Sequence, residues 1–212
     1  MGLVREWWGL SQDYGEVLAR QRSRREAIRM GYPECLAILE HAPVITLGRR
    51  PLESPLDSRL LAEAGIALEH SDRGGLATYH GPGQLVAYTI VNLRERGIKI
   101  RCFVDALEEA CRLFLEEHGV SGHRKKSAPG LWVGEQKIAA VGLHVSRGIT
   151  IHGLALNLTV DTQPYSWIQP CGFSPEVMTT LEECTGKRLE TPDVARGFFK
   201  ILGNCIEHAG CP

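Results

Sequence analysis

Apolar side chains recur at helical spacing in three stretches, with strand-like runs between them. Tyr14, Val17, Leu18, Gln21 and Ile28 fall on one stripe and Pro33 follows, which predicts a helix over about 12–30. Val104, Leu107, Cys111, Phe114 and Leu115 define a second helix over 104–118, ended by Gly119. A third spans about 191–208, with Pro192 in its first turn. A shorter helix is expected at 57–65, capped by Asp57 or Ser58. Short β-rich apolar runs at 35–41, 44–47 and 84–93 read as strands. A meander follows at 131–133, 137–145 and 149–160, with three-residue connections of hairpin length at 134–136 and 146–148. Residues 161–175, with three prolines, form a loop. The expected class is therefore α+β, a mixed or antiparallel sheet flanked by helices. There is no repeat, low-complexity tract or linker, so residues 1–212 read as one domain.

Charge changes this picture little. A formal net charge of −1 gives no global attraction to nucleic acid or membranes. The cations are clustered, however: Arg20, Arg22, Arg24, Arg25 and Arg29; then Arg94, Arg96, Lys99 and Arg101; then Arg124, Lys125 and Lys126. Such clusters are either solvated faces or, if they converge, a surface for an acidic partner. Seven cysteines without a CxxC pair suggest neither a zinc site nor a disulfide framework. The N-terminus does not read as a signal peptide, and no apolar run approaches the roughly 20 residues that span a bilayer. Free thiols without an export signal point to the cytoplasm.

The densest chemistry lies between Arg73 and Leu93, where Arg73, His80, Gln84 and four glycines lead into an apolar strand. Glycines in such a loop let backbone approach a ligand, although a tight turn before a strand has the same look. Cys171, between Pro170 and Gly172 in an irregular segment, is a candidate nucleophile or a structural loop cysteine. An ordinary thiol is only a few per cent thiolate at neutral pH, so a nucleophile needs a nearby cation or base. Lys137, at the head of the apolar strand Lys-Ile-Ala-Ala-Val-Gly-Leu, is one candidate; His80 and His152 are others. Alternation would place Thr150, His152 and Leu154 on one face. Small residues at Gly142, Gly153 and Ala155 leave room for an apolar chain. No phosphate loop, dinucleotide fingerprint, HExxH or GxSxG is present.

Four motifs in order resemble the octanoyltransferase family of lipoate biosynthesis, relatives of the lipoate and biotin protein ligases. They are Arg73-Gly-Gly-Leu-Ala-Thr-Tyr-His-Gly-Pro-Gly-Gln84, Lys137-Ile-Ala-Ala-Val-Gly142, Thr150-Ile-His-Gly-Leu-Ala-Leu-Asn157 and Pro170-Cys-Gly172. The resemblance implies a lipoate/biotin ligase-like fold. It implies an acyltransferase that moves an octanoyl group from acyl carrier protein to a specific lysine of lipoyl domains, through a thioester on Cys171 with Lys137 as its partner. It places Arg73, Gly74, Gly75, Leu76, Ala77, Thr78, Tyr79 and His80 at the substrate, together with Ala140, Val141, Gly142, Gly153, Leu154 and Ala155. The implied acceptors are lipoyl domains of 2-oxoacid dehydrogenase complexes and the glycine cleavage H protein. No cofactor or metal, nucleic acid or membrane is implied. The alternative is an ATP-dependent lipoate or biotin ligase on the same fold.

Overall fold

Three strands whose every residue is buried form the spine of the protein: β2 (Glu34–His41), β6 (Gln84–Ile90) and β10 (Ile149–Asn157). They are buried on both faces, so each reads as a largely hydrophobic run, and Glu34, Glu40, His41, Gln84, Thr89, Thr150, His152 and Asn157 are their buried polar members. The computed structural model describes residues 2–50, 56–125, 128–168 and 178–210. Among these, a large sheet has the order β1-β2-β6-β10-β9-β8-β7, with β1 (Leu3–Gln12), β7 (His123–Lys125), β8 (Ala128–Val133) and β9 (Gln136–Ser146). Only β1 runs parallel to its neighbour; the other ladders are antiparallel. A smaller sheet, β4-β3-β5, holds β3 (Val44–Leu47), β4 (Ala67–His70) and β5 (Thr78–His80).

Each face of the large sheet is covered differently. α4 (Ile100–Glu117) and α6 (Thr191–Glu207) bury Phe103, Leu107, Phe114, Phe198 and Leu202 against Leu36, Leu85 and Leu156. On the other face α1 (Tyr14–Arg29) packs Tyr14, Val17 and Leu18 over Cys35, Leu39, Val86, Tyr88 and Ile151. A third cluster joins the small sheet to a 3-10 helix (Gln163–Trp167) through Ile45, Tyr79 and Tyr165. α2 (Ser58–Glu63), α3 (Leu93–Arg96) and α5 (Leu181–Thr185) are short.

The α+β class and the long helices agree with the expectation, and several boundaries move. β1 was hidden by its charges and by Gly9 (φ 104°) and Ser11 (φ 50°), which sit where its register with β2 shifts. β5 had read as loop. The strand expected at 84–93 stops at Ile90, because Asn92 caps α3 by accepting from Glu95 N at 3.2 Å. β10 stops at Asn157, since the amides of Leu158 and Thr159 both donate to Gly83 O. α4 begins at Ile100, four residues before the expected start at 104. Cys35, Cys111, Cys184 and Cys205 are free thiols, whereas Cys102 is disulfide-bonded, which corrects the expectation of free thiols throughout. Several clustered cations make ion pairs within the chain: Arg20 and Arg24 with Glu6, Arg22 with Asp72 and Arg124 with Glu109 near the surface, Arg96 with buried Glu34, and Arg124 also with buried Glu108.

Candidate active site

A narrow pocket of about 60 Å³ opens on the α1 face of the large sheet. Its floor is laid by register: Tyr88, Gly153 and Gly142 form one row across β6, β10 and β9, and Val86, Ala155 and Ala140 form the next. Val141 and Leu154 complete the β9 and β10 contribution. Arg73, Gly74, Gly75, Ala77, Thr78 and His80 line the side facing the small sheet, and Tyr14 reaches in from α1. Lys137 lines the same pocket. Thus three sequence-distant motifs converge on one cavity. Leu76 and Tyr79 do not line it. The Leu76 carbonyl accepts from Gly48 N, and Tyr79 turns into the third cluster, edge-on to Tyr165 at 5.8 Å, where burial pushes its phenol up to about 12. Cys171, with Pro170 and Gly172, lies outside the described residues.

Backbone contacts hold the glycine-rich segment over the pocket. Gly74 N donates to Leu143 O on β9 at 3.0 Å, and Arg49 and Arg50 amides donate to Arg73 O and Gly75 O. Gly48 permits this approach, because a Cβ there would sit 2.3 Å from Gly75 O. The Arg73 guanidinium, buried, donates to the Thr46 carbonyl at 2.7 Å and to Thr46 Oγ1 at 2.8 Å. It is therefore fixed in place.

Lys137 is 4 % exposed. Its side chain passes Gly130, where a Cβ would lie 2.7 Å from Lys137 Cε, and its Nζ lies 5.6 Å from the Trp132 ring centre. Its carbonyl accepts from Thr179 N at 3.0 Å, and Lys137 bridges to Met178 in parallel sense.

The end of the pocket under α1 is polar and aromatic, and most of it was missed. Tyr14 and Tyr88 are ordinary members of apolar patterns in the sequence, yet both line the cavity. Tyr88 O–H and His41 Nε2 lie 2.7 Å apart, and His41 Nδ1 is 3.0 Å from Gln12 O. Burial drives His41 down to about 4, so its ring is neutral. Nδ1 then donates to the carbonyl, and Tyr88 donates to Nε2. His80 is likewise driven down by burial, and its Nδ1 lies 2.6 Å from Gln84 Oε1. Gln84 Nε2 donates onward to Asn157 Oδ1 at 2.9 Å and to Tyr165 Oη at 3.0 Å.

His152 has φ 64°, a left-handed conformation, and its amide donates to Gln21 Oε1 at 2.7 Å. That turn breaks the alternation expected for Thr150, His152 and Leu154. The His152 ring faces Tyr88 and Asp72, while Leu154 packs into the core under α4 and α6. Asp72, unmarked by the sequence reading, receives His152 Nε2 at 2.7 Å, lies 2.9 Å from His144 Nδ1 and pairs with Arg22 at 3.3 Å. The His152 hydrogen bond holds its carboxyl well below the ordinary range, against the opposing effect of burial. A depressed carboxyl stabilises the fold above its unfolded value of about 4, and that contribution is lost as pH falls through the folded value. Urea midpoints measured from pH 5 down to pH 2 should therefore fall less steeply in Asp72→Asn than in the wild type. Among the described residues, no group of three or more His, Cys, Asp or Glu is placed to hold a metal ion.

The model of the lipoyl protein ligase A/B catalytic domain matches residues 13–202. The octanoyltransferase of Alkaliphilus metalliredigens is 43% identical over 178 residues, 82% of each chain. The chain belongs to the octanoyltransferase family. A further octanoyltransferase, from Solibacter usitatus, is 41% identical over 203 residues, covering 94% of this chain and 91% of its own. As a family member the chain is an acyltransferase of the lipoylation pathway. The octanoyltransferase fold is shared with solved ligases. A lipoate protein ligase of Thermoplasma acidophilum with bound lipoic acid superposes with a TM-score of 0.77 at 16% identity, over 97% of this chain and 86% of that one. The biotin protein ligase of Aquifex aeolicus gives a TM-score of 0.53 at 13% identity, over 97% of this chain and 69% of that one. No helix among the described residues is long and apolar enough to cross a membrane.

Proposed function

We propose that residues 1–212 form one catalytic domain that transfers an octanoyl group from acyl carrier protein to a specific lysine of lipoyl domains, by way of a thioester on Cys171. The supporting observation is the meeting of Lys137, the glycine-rich segment and the small residues of β9 and β10 on one largely apolar pocket. Lys137 also bridges to Met178, seven residues along the chain from Cys171.

In this reading an ammonium at Lys137 favours the Cys171 thiolate over the thiol. The thiolate attacks the carrier thioester, forming the acyl-enzyme and releasing the carrier thiolate, which takes its proton from the Lys137 ammonium and leaves Lys137 as the neutral amine. The acceptor lysine, as free amine, attacks the acyl-enzyme; an amide forms and Cys171 leaves as thiolate. Lys137 takes the proton shed by the amine. A thioester already carries the free energy needed for an amide, so no ATP enters. An ATP-dependent ligase on this fold would need nucleotide and would not need Cys171. The lipoyl domains of 2-oxoacid dehydrogenases and of the glycine cleavage H protein are the proposed acceptors, and the cytoplasm the proposed location.

Intact-mass measurement after incubation with octanoyl-carrier protein tests the scheme. One octanoyl group should add to the wild type, be discharged by lipoyl domain, and be absent from Cys171→Ala. An adduct that persists in Cys171→Ala would remove the thioester from the mechanism.

A further inference from the structure

The pocket stops at a definite row of the sheet. β6 contributes Val86 and Tyr88 but not Ile90, and β9 contributes nothing beyond Gly142. β10 contributes nothing before His152. Lys137 precedes Gly142 by five residues on β9, so the two lining positions lie about 17 Å apart along the strand. At the end away from Lys137 stand Tyr14, Tyr88 and His152, beneath the Arg73 loop.

Each of these wall residues is pinned from behind by a residue that does not line the pocket. Tyr88 donates to His41, which is itself held by Gln12 O. His152 donates to Asp72 at 2.7 Å. Tyr14 donates to Ser71 Oγ at 2.8 Å. The hydroxyl of Tyr88 is thus spent outside the cavity, and its ring is what an occupant meets. A side chain with its rotamer locked by such bonds makes a fixed stop rather than a yielding one.

We propose that this wall is the length gauge of the acyl pocket: Tyr88 and His152, braced by His41 and Asp72, set the number of carbons an acyl chain can have. The inference rests on the acyl-transfer reading and adds the specificity-determining residues to it. A saturated chain that ends at the wall fits, while each further methylene must displace a braced ring. Discrimination per methylene in such pockets is about tenfold or more.

The test compares the full-length wild type with Tyr88→Ala and Tyr88→Phe, using saturated acyl thioesters of carrier protein with 6, 8, 10 and 12 carbons. Binding of the matching free fatty acids is followed by calorimetry. Tyr88→Ala should raise the ratio of kcat/KM for the 12-carbon over the 8-carbon donor by about tenfold or more. Tyr88→Phe keeps the ring but frees it from His41, and should raise the same ratio by about threefold. It also serves if the alanine variant does not fold. A merely structural role would lower all four donors alike; ratios unchanged in every variant that folds overturn the gauge. The fatty-acid series separates the two ideas. Wild-type binding that stops at one chain length without any transfer to lipoyl domain would sink the proposed function and keep the gauge. Binding with no length limit would sink the gauge alone.

Discussion

Lys137→Met is expected to lower octanoyl transfer about a hundred- to ten-thousand-fold while the protein stays folded, the range for losing a group that handles protons in the transition state. Lys137 is almost fully buried, and Gly130 leaves a channel for its methylenes. Methionine fills that channel with a similar unbranched chain, so the substitution removes charge and little packing. In the proposed scheme the loss of the ammonium should return the Cys171 thiol toward the ordinary value of about 8.5 and lower its thiolate fraction at neutral pH. Steady-state transfer from octanoyl-carrier protein measures the rate loss, and alkylation of Cys171 by iodoacetamide across pH measures its cause. The alkylation profile should move to higher pH in Lys137→Met. Transfer within about threefold of wild type would show that Lys137 only fills space.

Gly130→Ala should cost stability and activity together. Gly130 has φ 124°, a region that side chains rarely adopt, and an added Cβ would lie 2.2 Å from Ala139 O and 2.7 Å from Lys137 Cε. The first contact is with backbone of the adjacent strand, which yields only if β8 and β9 separate. Its amide donates to Glu108 Oε1 at 2.7 Å, so a shift also disturbs a buried carboxylate. Strain and overpacking of this kind cost about 2–4 kcal/mol in sum. In a chain of this size that is a fall of about 10 °C in Tm. Gly134→Ala is the control: φ is 55° there, but nothing lies within 4 Å of the added atom. Calorimetric scans of both variants, with transfer rates for the folded fraction, separate a general glycine effect from one transmitted to Lys137. Equal Tm losses in the two would discard the argument.

Burial on both faces is what made the spine legible. β2, β6 and β10 are mostly apolar, and α4 carries a regular stripe, so pattern alone found them. β1 escaped because an edge strand is half solvated: Arg5, Glu6 and the two positive-φ residues Gly9 and Ser11 disguise it. β5 escaped because three residues inside a glycine-rich loop have no period. At the site, glycine, lysine and small residues announced themselves by type. Tyr14 and Tyr88 did not, since a tyrosine on an apolar stripe is indistinguishable from core until the stripe is seen to end at a cavity. Asp72 is an ordinary loop acid until His152, eighty residues away, turns left-handed to meet it. No local pattern encodes that partnership.

The floor of the cavity has a kinetic corollary. Tyr88 meets Gly153 across 65 residues of chain, and Ala37 meets Tyr88 across 51. Contacts of such range form late, because loop closure precedes their reward. β1, α1 and β2 lie next to one another in the chain and are expected to close as a local unit first. An acyl chain therefore finds no partial harbour on the nascent polypeptide: the slot comes into being only when its most distant strands have already zipped together.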